Sequence, residues 1–288
     1  LEGADLTNAN LQGADLEGAV LNYADLEGAD LTDAHLSGVF ALFLKNCPVA
    51  DKLPAGWVCD DSKDKHLIGP GAKLGGVNLT LADLTNADLT GIVARLIVCP
   101  ASEKLPAGWA CDGTEGECPS SDCRRYLIGP GADLSGADMT DVDLTDVDLT
   151  GVKGGLQKCP AAANLPAEWM CDATLTDNYL IGPGADLTGA DLRDADLRDA
   201  TLTGVKGILA ACPAEGKLPN ADWVCKNDYL IGPGADLTDA VLTGLDLTGA
   251  DLEGAVLTGA DLTGLVLTNA DLEGAVLTGA DLTGATLT

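Results

Sequence analysis

The sequence predicts an all-β solenoid, and three observations point to it. Leucine recurs at every fifth position over most of the 288 residues, a period that fits neither an α-helix, at about 3.6 residues per turn, nor a β-strand, at about 2.0. The block Ala250–Gly259 reappears unchanged at Ala270–Gly279, which indicates a longer repeat of twenty residues. Aromatic residues make up only 3% of the chain, too few for the core of a conventional globular domain.

The repeat unit reads Ala-(Asp/Asn)-Leu-X-Gly, with small variations. It runs through three consecutive pentapeptides near the start of the chain, at 4–8, 9–13 and 14–18. The pattern resembles that of the pentapeptide-repeat family, and the resemblance extends over more than half of the sequence. It implies a right-handed, quadrilateral β-helix in which four pentapeptides form each coil. It implies little about function, because a repeat of this kind encodes a scaffold and not a site.

In such a coil, we expect the leucine and the small residue two positions before it to point inward. Leu252 and Leu272 would then stack on adjacent coils, about 4.8 Å apart. Alanine is needed at the second inward position because four sides converge there. The polar residues and glycines would face outward or form the corners. Each coil would be stabilised only by its neighbours, so that stability is approximately one-dimensional.

Four long interruptions break the repeat. They span residues 39–71, 92–131, 152–184 and 205–234. The regular coils are 1–38, 72–91, 132–151, 185–204 and 235–288. Each of the three inner blocks is twenty residues long, which is one full coil, so every interruption leaves the solenoid at the same corner. We therefore expect a single solenoid over 1–288 with four loop excursions on one side.

All four interruptions contain the same motifs in the same order. Each has Cys-Pro, Leu-Pro, a tryptophan, a second cysteine and finally Leu-Ile-Gly-Pro-Gly-Ala, as in Cys47–Ala72. Because apolar residues continue at five-residue offsets into each interruption, we expect its first part to follow the coil while its middle bulges outward. The Gly-Pro-Gly segment would return the chain to register, with glycine supplying unusual backbone angles and proline a fixed turn.

The ten cysteines predict five local disulfides. The pairs are Cys47/Cys59, Cys99/Cys111, Cys118/Cys123, Cys159/Cys171 and Cys212/Cys225. Most would close loops of about a dozen residues, each stabilising by roughly 2–3 kcal/mol. Bridges between neighbouring interruptions, zinc and reduced thiols are the alternatives, although the cysteine spacing and the two histidines, His35 and His66, suit zinc poorly. Disulfides would place the protein in an oxidising, extracytoplasmic compartment: the periplasm, the cell exterior or a thylakoid lumen.

One tryptophan lies in each interruption, two residues before the second cysteine: Trp57, Trp109, Trp169 and Trp223. A row of such rings would suit a sugar or a peptide. The fixed offset instead favours local packing, in which each indole covers its own disulfide. A ring also precedes each Leu-Ile-Gly-Pro-Gly segment: His66, Tyr126, Tyr179 and Tyr229. We expect these rings to pack in the same way.

Acidic residues on neighbouring coils form a candidate calcium site. Asp251 and Glu253 would lie about 5 Å from Asp271 and Glu273 on the next coil. A bound Ca²⁺ would relieve their repulsion, since this ion prefers hard oxygen ligands. Four further aspartates ring another coil: Asp133, Asp138, Asp143 and Asp148. The pattern favours the alternative, a solvated acidic face that keeps the protein soluble, and it indicates no other cofactor.

Charge and motifs exclude several classes of function. The formal charge is −29, from 45 acidic and 16 basic residues, which excludes nucleic acid and anionic membranes as electrostatic partners. No apolar run approaches about 18 residues, so the sequence predicts no membrane span. Gly-x-Ser-x-Gly, a phosphate-binding loop and His-Glu-x-x-His are missing from the sequence, and we expect no enzyme. Arg193 and Arg198 are expected to pair with the neighbouring Asp194 and Asp199.

Two functions from different classes fit these features. The first is a non-enzymatic structural or protein-interaction scaffold outside the cytoplasm, whose disulfide-closed loops display a surface to an unknown protein partner. The second follows from the family resemblance, because some pentapeptide-repeat proteins are acidic mimics of DNA that bind type II topoisomerases. The charge suits mimicry, whereas the cysteines and the interruptions do not, since topoisomerases are cytoplasmic and mimicry requires a smooth rod. We therefore favour the scaffold.

The last coil of the sequence is not preceded by an amphipathic capping helix. Strand edges and leucines exposed on such a coil favour pairing. We expect a homodimer through the C-terminal coil, as the family resemblance implies for some members. The rival interpretation is a chain cut from a longer array.

Overall fold

The computed structural model describes residues 1–60, 64–96, 98–111, 125–172 and 178–287. The chain divides into two compact units. The first consists of Leu1–Leu134 and Asp146–Leu149, and the second of Ser135–Thr145 and Thr150–Thr288. Each unit holds two of the four interruptions. That the whole chain is one continuous solenoid stays a prediction.

In the first unit, the pentapeptides coil with the predicted period of twenty residues. Parallel β-bridges join residues one coil apart on four successive sides: Asp5 to Asp25, Asn10 to Asp30, Asp15 to His35 and Val20 to Phe40. The predicted inward residues are fully buried, as shown by Leu21, Ala24, Leu26, Ala29 and Leu31. The four-sided coil and its inward pair of positions are thus confirmed.

Each corner is a β-turn whose sequence preference has a direct cause. The Leu6 carbonyl accepts a hydrogen bond from the Ala9 N–H at 2.9 Å, which closes the turn. The third residue of such a turn takes a positive φ, as Gly13 does at 63° in the next turn. Where aspartate precedes the leucine, its side chain caps the turn, since Asp5 Oδ1 accepts from the Thr7 N–H at 3.1 Å and from its hydroxyl at 2.6 Å. Turn chemistry therefore explains the polar half of the repeat.

The regular run 235–287 of the second unit is built in the same way. Parallel bridges again join residues twenty positions apart, from Asp236–Val256 to Val266–Thr286. Leu242, Leu252 and Leu262 are buried in its interior. On the outer side, Val241 is 51% exposed. Side-chain direction therefore follows the five-residue frame and not hydrophobicity alone.

The interruptions contain most of the longer strands. In the first unit these strands are β1 (Val58–Asp60), β2 (His66–Ile68), β3 (Lys73–Gly75), β4 (Val93–Leu96), β5 (Ala110–Cys111) and β6 (Arg125–Ile128). In the second unit they are β7 (Met170–Asp172), β8 (Tyr179–Ile181), β9 (Val224–Lys226) and β10 (Tyr229–Ile231). Three short 3₁₀ helices precede tryptophans, at Ala50–Lys52, Ser102–Lys104 and Ala162–Asn164.

In each interruption, the strand with the second cysteine pairs with the strand before Gly-Pro-Gly to form a β-hairpin, which the sequence did not predict. β1 pairs with β2, β7 with β8, and β9 with β10, all antiparallel. In the second interruption the hairpin of β5 and β6 joins a sheet of order β3-β4-β6-β5, in which β3 and β4 are parallel. Each hairpin joins the strand with the second cysteine to the strand that leads into Gly-Pro-Gly.

The first part of each interruption follows the coil, as predicted. The Leu31 N–H donates to the Lys52 carbonyl at 2.8 Å, so the backbone beyond the first cysteine stays in the ladder. Where the chain returns to the coil, the Gly38 N–H donates to the Gly71 carbonyl at 3.0 Å. Equivalent bonds in the other interruptions join Leu84–Lys104, Leu144–Asn164, Leu197–Lys217, Gly91–Gly131, Gly151–Gly184 and Gly204–Gly234.

Candidate functional site

The disulfides fasten each hairpin to its coil. The structure contains the bridges Cys47–Cys59, Cys99–Cys111, Cys159–Cys171 and Cys212–Cys225. Each joins the segment that follows the coil to the first strand of the hairpin, which confirms the predicted local pairing over zinc or bridges between loops. Cys118 and Cys123 lie outside the described residues.

Each tryptophan packs its ring on the first glycine of Leu-Ile-Gly-Pro-Gly. A Cβ atom added to Gly232 would lie 2.5 Å from the Trp223 ring, far inside contact distance. The same contact occurs in the pairs Trp57–Gly69, Trp109–Gly129 and Trp169–Gly182. Trp57 and Trp223 are buried and the other two are half-buried. The indoles therefore pack within their loops and do not form a row of open aromatic platforms. The contact that the structure shows is with this glycine, whereas the sequence predicted that each indole covers its disulfide.

Glycine is required at the two positions of Gly-Pro-Gly for different reasons. The second glycine adopts the positive φ that the sequence predicts, at 69° for Gly71 and 67° for Gly234. For the first glycine that prediction is wrong, because Gly232 does not have a positive φ. The indole of Trp223 leaves no space for a side chain there.

A lysine in each interruption pairs with an aspartate of the preceding coil. The Nζ–Oδ2 distances are 2.7 Å for Lys52–Asp30, 2.9 Å for Lys104–Asp83, 2.7 Å for Lys158–Asp138 and 2.8 Å for Lys217–Asp196. The hydrogen bond from Lys52, assisted by those from Thr32, lowers the pKa of Asp30 to about 2. Exposed pairs of this kind stabilise weakly and lose strength in salt, so they add little to the stability of the loops.

The rings before Leu-Ile are buried or half-buried, as expected. His66 is fully buried, Tyr126 and Tyr179 are buried, and Tyr229 is half-buried. His66 also makes a hydrogen bond to backbone, since its Nδ1 accepts from the Phe43 N–H at 3.2 Å.

The candidate calcium ligands lie on adjacent coils, with Asp251 and Asp271 joined by a parallel bridge. Each aspartate caps its own turn, because Asp251 accepts from the Glu253 N–H at 3.0 Å and Asp271 from the Glu273 N–H at 2.9 Å. Across the described ranges, no group of three or more His, Cys, Asp or Glu side chains is placed to hold a metal ion. Calcium binding stays a prediction from the sequence, to which this geometry adds no support.

Two of the four aspartates predicted to ring another coil have the same capping role. Asp138 accepts from the Thr140 N–H and Asp143 from the Thr145 N–H, both at 3.1 Å. The bonds from the Thr145 N–H and hydroxyl lower the pKa of Asp143. These carboxylates are therefore parts of turns and stay charged at neutral pH.

The predicted partners of the two arginines are wrong. Arg198 pairs with Asp196 at 2.6 Å, and not with Asp199. Arg193 pairs in the same way with Asp191. The reason is the corner geometry, which places the residue after leucine beside the capping residue before it.

A cleft of about 490 Å³ lies beside the first disulfide. Its apolar wall runs from Cys47 to Ala50 and includes Leu53, while Glu27 and Lys65 contribute opposite charges. Its volume lies within the range of roughly 300–1,000 Å³ that is usual for ligand pockets. The first loop therefore offers a partner both a concave surface and charge.

Among the helices that the structure describes, none has the length and apolar character needed to cross a membrane.

Two solved structures match nearly the whole chain at low similarity. HetL, a pentapeptide repeat protein involved in heterocyst differentiation regulation from the cyanobacterium Nostoc sp., is 20% identical, with 99% of this chain and 87% of that chain covered and a TM-score of 0.19. QnrB1, a plasmid-mediated fluoroquinolone resistance protein, is 15% identical, with 99% and 82% covered and a TM-score of 0.14. At these scores we base no conclusion on either. The search of curated protein sequences found no match.

A family model for pentapeptide repeats matches the regular parts of the chain. Its eight copies fall on residues 1–38, 71–92, 130–153, 183–206, 233–259 and 256–288. These ranges cover more than half of the sequence and leave out the middle of every interruption. Together with the twenty-residue coil and its inward leucines, the match shows that the chain belongs to the pentapeptide-repeat family.

Proposed function

We propose that the protein is a non-enzymatic scaffold outside the cytoplasm, in which the coils carry the loops and the loops bind a protein partner. The observation that carries this proposal is that the chemically distinctive side chains serve the fold. The described cysteines are bridged, the tryptophans cover glycines, and aspartates before leucine cap turns. Such a molecule offers shape and charge to a partner. Its net charge of −29 favours a partner with a basic surface.

Site-specific photo-crosslinking in the native cells tests the interaction. A photoreactive residue replaces Val49, which is 57% exposed beside the cleft of the first loop, or, as a matched control, Val241, which is 51% exposed on the regular run. We expect a discrete crosslinked protein from position 49 and none from position 241. No crosslink from either position, or the same one from both, would contradict a role for this loop.

Thiol alkylation tests the compartment. Protein purified from its own cells without reductant is denatured, alkylated and weighed, with and without prior reduction. We expect no alkylation of the ten cysteines before reduction, because disulfides persist only in oxidising compartments. Ten alkylations would contradict an extracytoplasmic location. The acidic DNA mimic, which the charge favours, would then be tested by inhibition of topoisomerase supercoiling.

A homodimer through the last coil is a further part of the proposal. The family resemblance implies such a dimer for some members, in which a second copy pairs with the strand edges of the C-terminal coil. Light scattering at tens of micromolar measures the mass, and a monomer would contradict the dimer.

A further inference from the structure

The first loop contains one residue more than the other three. From the residue after the corner glycine to the first cysteine there are eight steps in Val39–Cys47, but seven in Ile92–Cys99, Val152–Cys159 and Val205–Cys212. The parallel bridge Asp25–Asn46 accordingly spans 21 positions, where the equivalent bridges Asn78–Val98, Asp138–Lys158 and Asp191–Ala211 span 20. The additional residue must therefore be accommodated by a local irregularity in the hydrogen bonding of the first loop.

The additional residue forms a β-bulge opposite His66. In the second loop, Arg95 pairs with Tyr126. At the equivalent place in the first loop, Leu42 and Phe43 together lie opposite His66, which is the two-against-one arrangement of a bulge. Phe43 has a φ of 55°, a left-handed conformation that is costly for a bulky residue.

Side chains satisfy the two N–H groups that the bulge removes from the ladder. The Leu42 N–H donates to Asn22 Oδ1 at 3.0 Å, and the Phe43 N–H donates to His66 Nδ1 at 3.2 Å. A tyrosine, which the other three loops have at the equivalent position of His66, has no acceptor at that point of its ring. Histidine therefore occurs in the loop that needs a ring acceptor.

The His66 ring is enclosed on all sides. It is 0% exposed, and it meets the Phe43 ring edge-on at a centroid distance of 5.1 Å. Phe43 in turn stacks on Tyr23 at 5.8 Å. Because Nδ1 accepts a hydrogen bond, the neutral ring carries its proton on Nε2, and among the described residues Nε2 has no hydrogen-bond partner.

Two carboxylates act on this ring, and burial opposes them. Asp60 faces His66 across the hairpin on β1, and Asp64 lies two residues before it. The coil segment 41–44 contributes only apolar side chains, while Lys45 and Lys65 flank the two paired segments. Burial lowers the pKa of His66, and Asp60 and Asp64 oppose this shift in part.

We propose that His66 is an acid-sensitive latch that holds the first hairpin on its coil. A proton taken up from solvent binds Nδ1 and converts it from an acceptor into a donor that faces the Phe43 N–H. The bond between the bulge and β2 is then lost, and a charged ring remains in an enclosed site where Asp60 and Asp64 offset only part of the cost of burial. β2 separates from segment 41–44, while the Cys47–Cys59 bridge keeps the hairpin attached.

The direction of the pH effect follows from linkage. With the folded pKa below the ordinary value of 6.5, the open loop binds the proton more readily than the closed loop. The closed loop is therefore fully stable above about pH 6.5 and loses stability as the pH falls from there to the folded pKa. In that window, each pH unit shifts the equilibrium towards the open form by up to about tenfold.

Hydrogen exchange measured by mass spectrometry at pH 7.5 and pH 5.0, corrected for intrinsic rates, tests the latch on the oxidised chain. We expect protection of peptides from 39–71 to fall about tenfold or more in acid. Peptides from 205–234, where Tyr229 replaces the histidine, serve as the internal control and should keep their protection. Unchanged protection of 39–71 at pH 5.0 would overturn the proposal.

Two variants separate the latch from general acid sensitivity. His66→Asn keeps an acceptor near the position of Nδ1 but does not titrate. Deletion of Phe43 combined with His66→Tyr gives the first loop the residue pattern of the other three, so it remains informative if His66→Asn does not fold. We expect the pH response of 39–71 to disappear in each folded variant. A response equal to that of the unmodified protein would overturn the latch.

Discussion

The regular run 235–287 and the loop-bearing coils share a backbone ladder but are held by different contacts. In the regular run, buried leucines stack from coil to coil, and an aspartate caps the corner wherever it precedes the leucine, while valine stands there at the other corners. In a loop-bearing coil, the hairpin is held by a disulfide, an indole packed on glycine and a buried or half-buried ring. The comparison teaches that a repeat suffices where neighbours cover both sides of a coil. A coil that carries a small hairpin has additional covalent and aromatic contacts, which hold the hairpin in place.

The largest effect is expected from a cavity in the regular run. Leu262 is fully buried, and Leu262→Ala should lower the free energy of unfolding by about 2–5 kcal/mol. Urea denaturation followed by circular dichroism measures this loss. Val241→Ala, on the exposed outer side of the same run, is the matched control and should change it by less than about 0.5 kcal/mol. Similar losses in both would contradict the division into inward and outward positions.

Removal of a disulfide should affect a loop and leave the regular run unchanged. Replacing both Cys159 and Cys171 with serine removes a bridge that spans 12 positions, which costs about 2–3 kcal/mol of loop stability. Because repeats couple mainly to their neighbours, we expect faster hydrogen exchange in 152–172 and little change in 235–287. Comparable acceleration in both regions would show that the loop and the regular run unfold as one.

A smaller effect is expected from a methyl group under an indole. Gly232→Ala places Cβ 2.5 Å from the Trp223 ring, and displacement of the ring should cost about 1–3 kcal/mol. Trp223 would become more exposed, so its fluorescence should shift to the red. Gly75→Ala is the control, because Gly75 lacks a positive φ and an added Cβ there would have no atom within 4 Å. If the two substitutions change stability and fluorescence equally, contact with the indole is not the reason that position 232 requires glycine.

The smallest effect is expected at a turn cap. Asp246 Oδ1 accepts from the Thr248 N–H at 3.0 Å, and Asn78 makes the same bond to Thr80. Asp246→Asn should therefore be nearly neutral at pH 7, while Asp246→Ala should destabilise the corner slightly. Thermal melts of the three proteins rank these effects. An equal loss of thermal stability in both variants would mean that the charge of Asp246, and not its hydrogen bond to the turn, stabilises the corner.

The same aspartate gives a pH dependence of known sign. The hydrogen bonds from Thr248 lower the pKa of Asp246 below its ordinary 3.8. Its contribution to stability is therefore complete above about pH 3.8 and is lost as the pH falls through the lower, folded pKa. Asp246→Asn, which does not titrate there, should remove this part of the acid transition.

Periodicity was sufficient to predict the coil, because each inward residue acts at a fixed offset. Leu21 and Ala24 are buried as the five-residue frame requires, and the recurring spacing of twelve residues identified cysteine pairs such as Cys159–Cys171. Both predictions concern residues whose partners are set by chain position. In a repeat, residues at a fixed separation in sequence lie next to each other on adjacent coils. The sequence of an ordinary globular domain has no such rule.

The contacts inside the loops could not be predicted in the same way. Strands of two to four residues, such as β5 and β6, are too short for an alternating pattern to be recognised. Glycine is required at position 232 because the Trp223 ring packs against it. This ring lies nine positions earlier in the chain, and only the folded hairpin brings it close. For His66 a signal existed in the additional residue between Val39 and Cys47, but its meaning depends on the bulge at Phe43.

The turn caps have a consequence for how the surface charge can vary. At a capped corner an acceptor oxygen is sufficient, and Asn10 supplies it to the Gln12 N–H at 3.1 Å without a charge. At every such corner, the charge of the capping residue can therefore change without a change in the backbone. The potential of the surface can be changed one unit at a time, by exchanging Asp for Asn, while the backbone keeps its course. A graded series of such exchanges would reveal how much negative charge a partner needs.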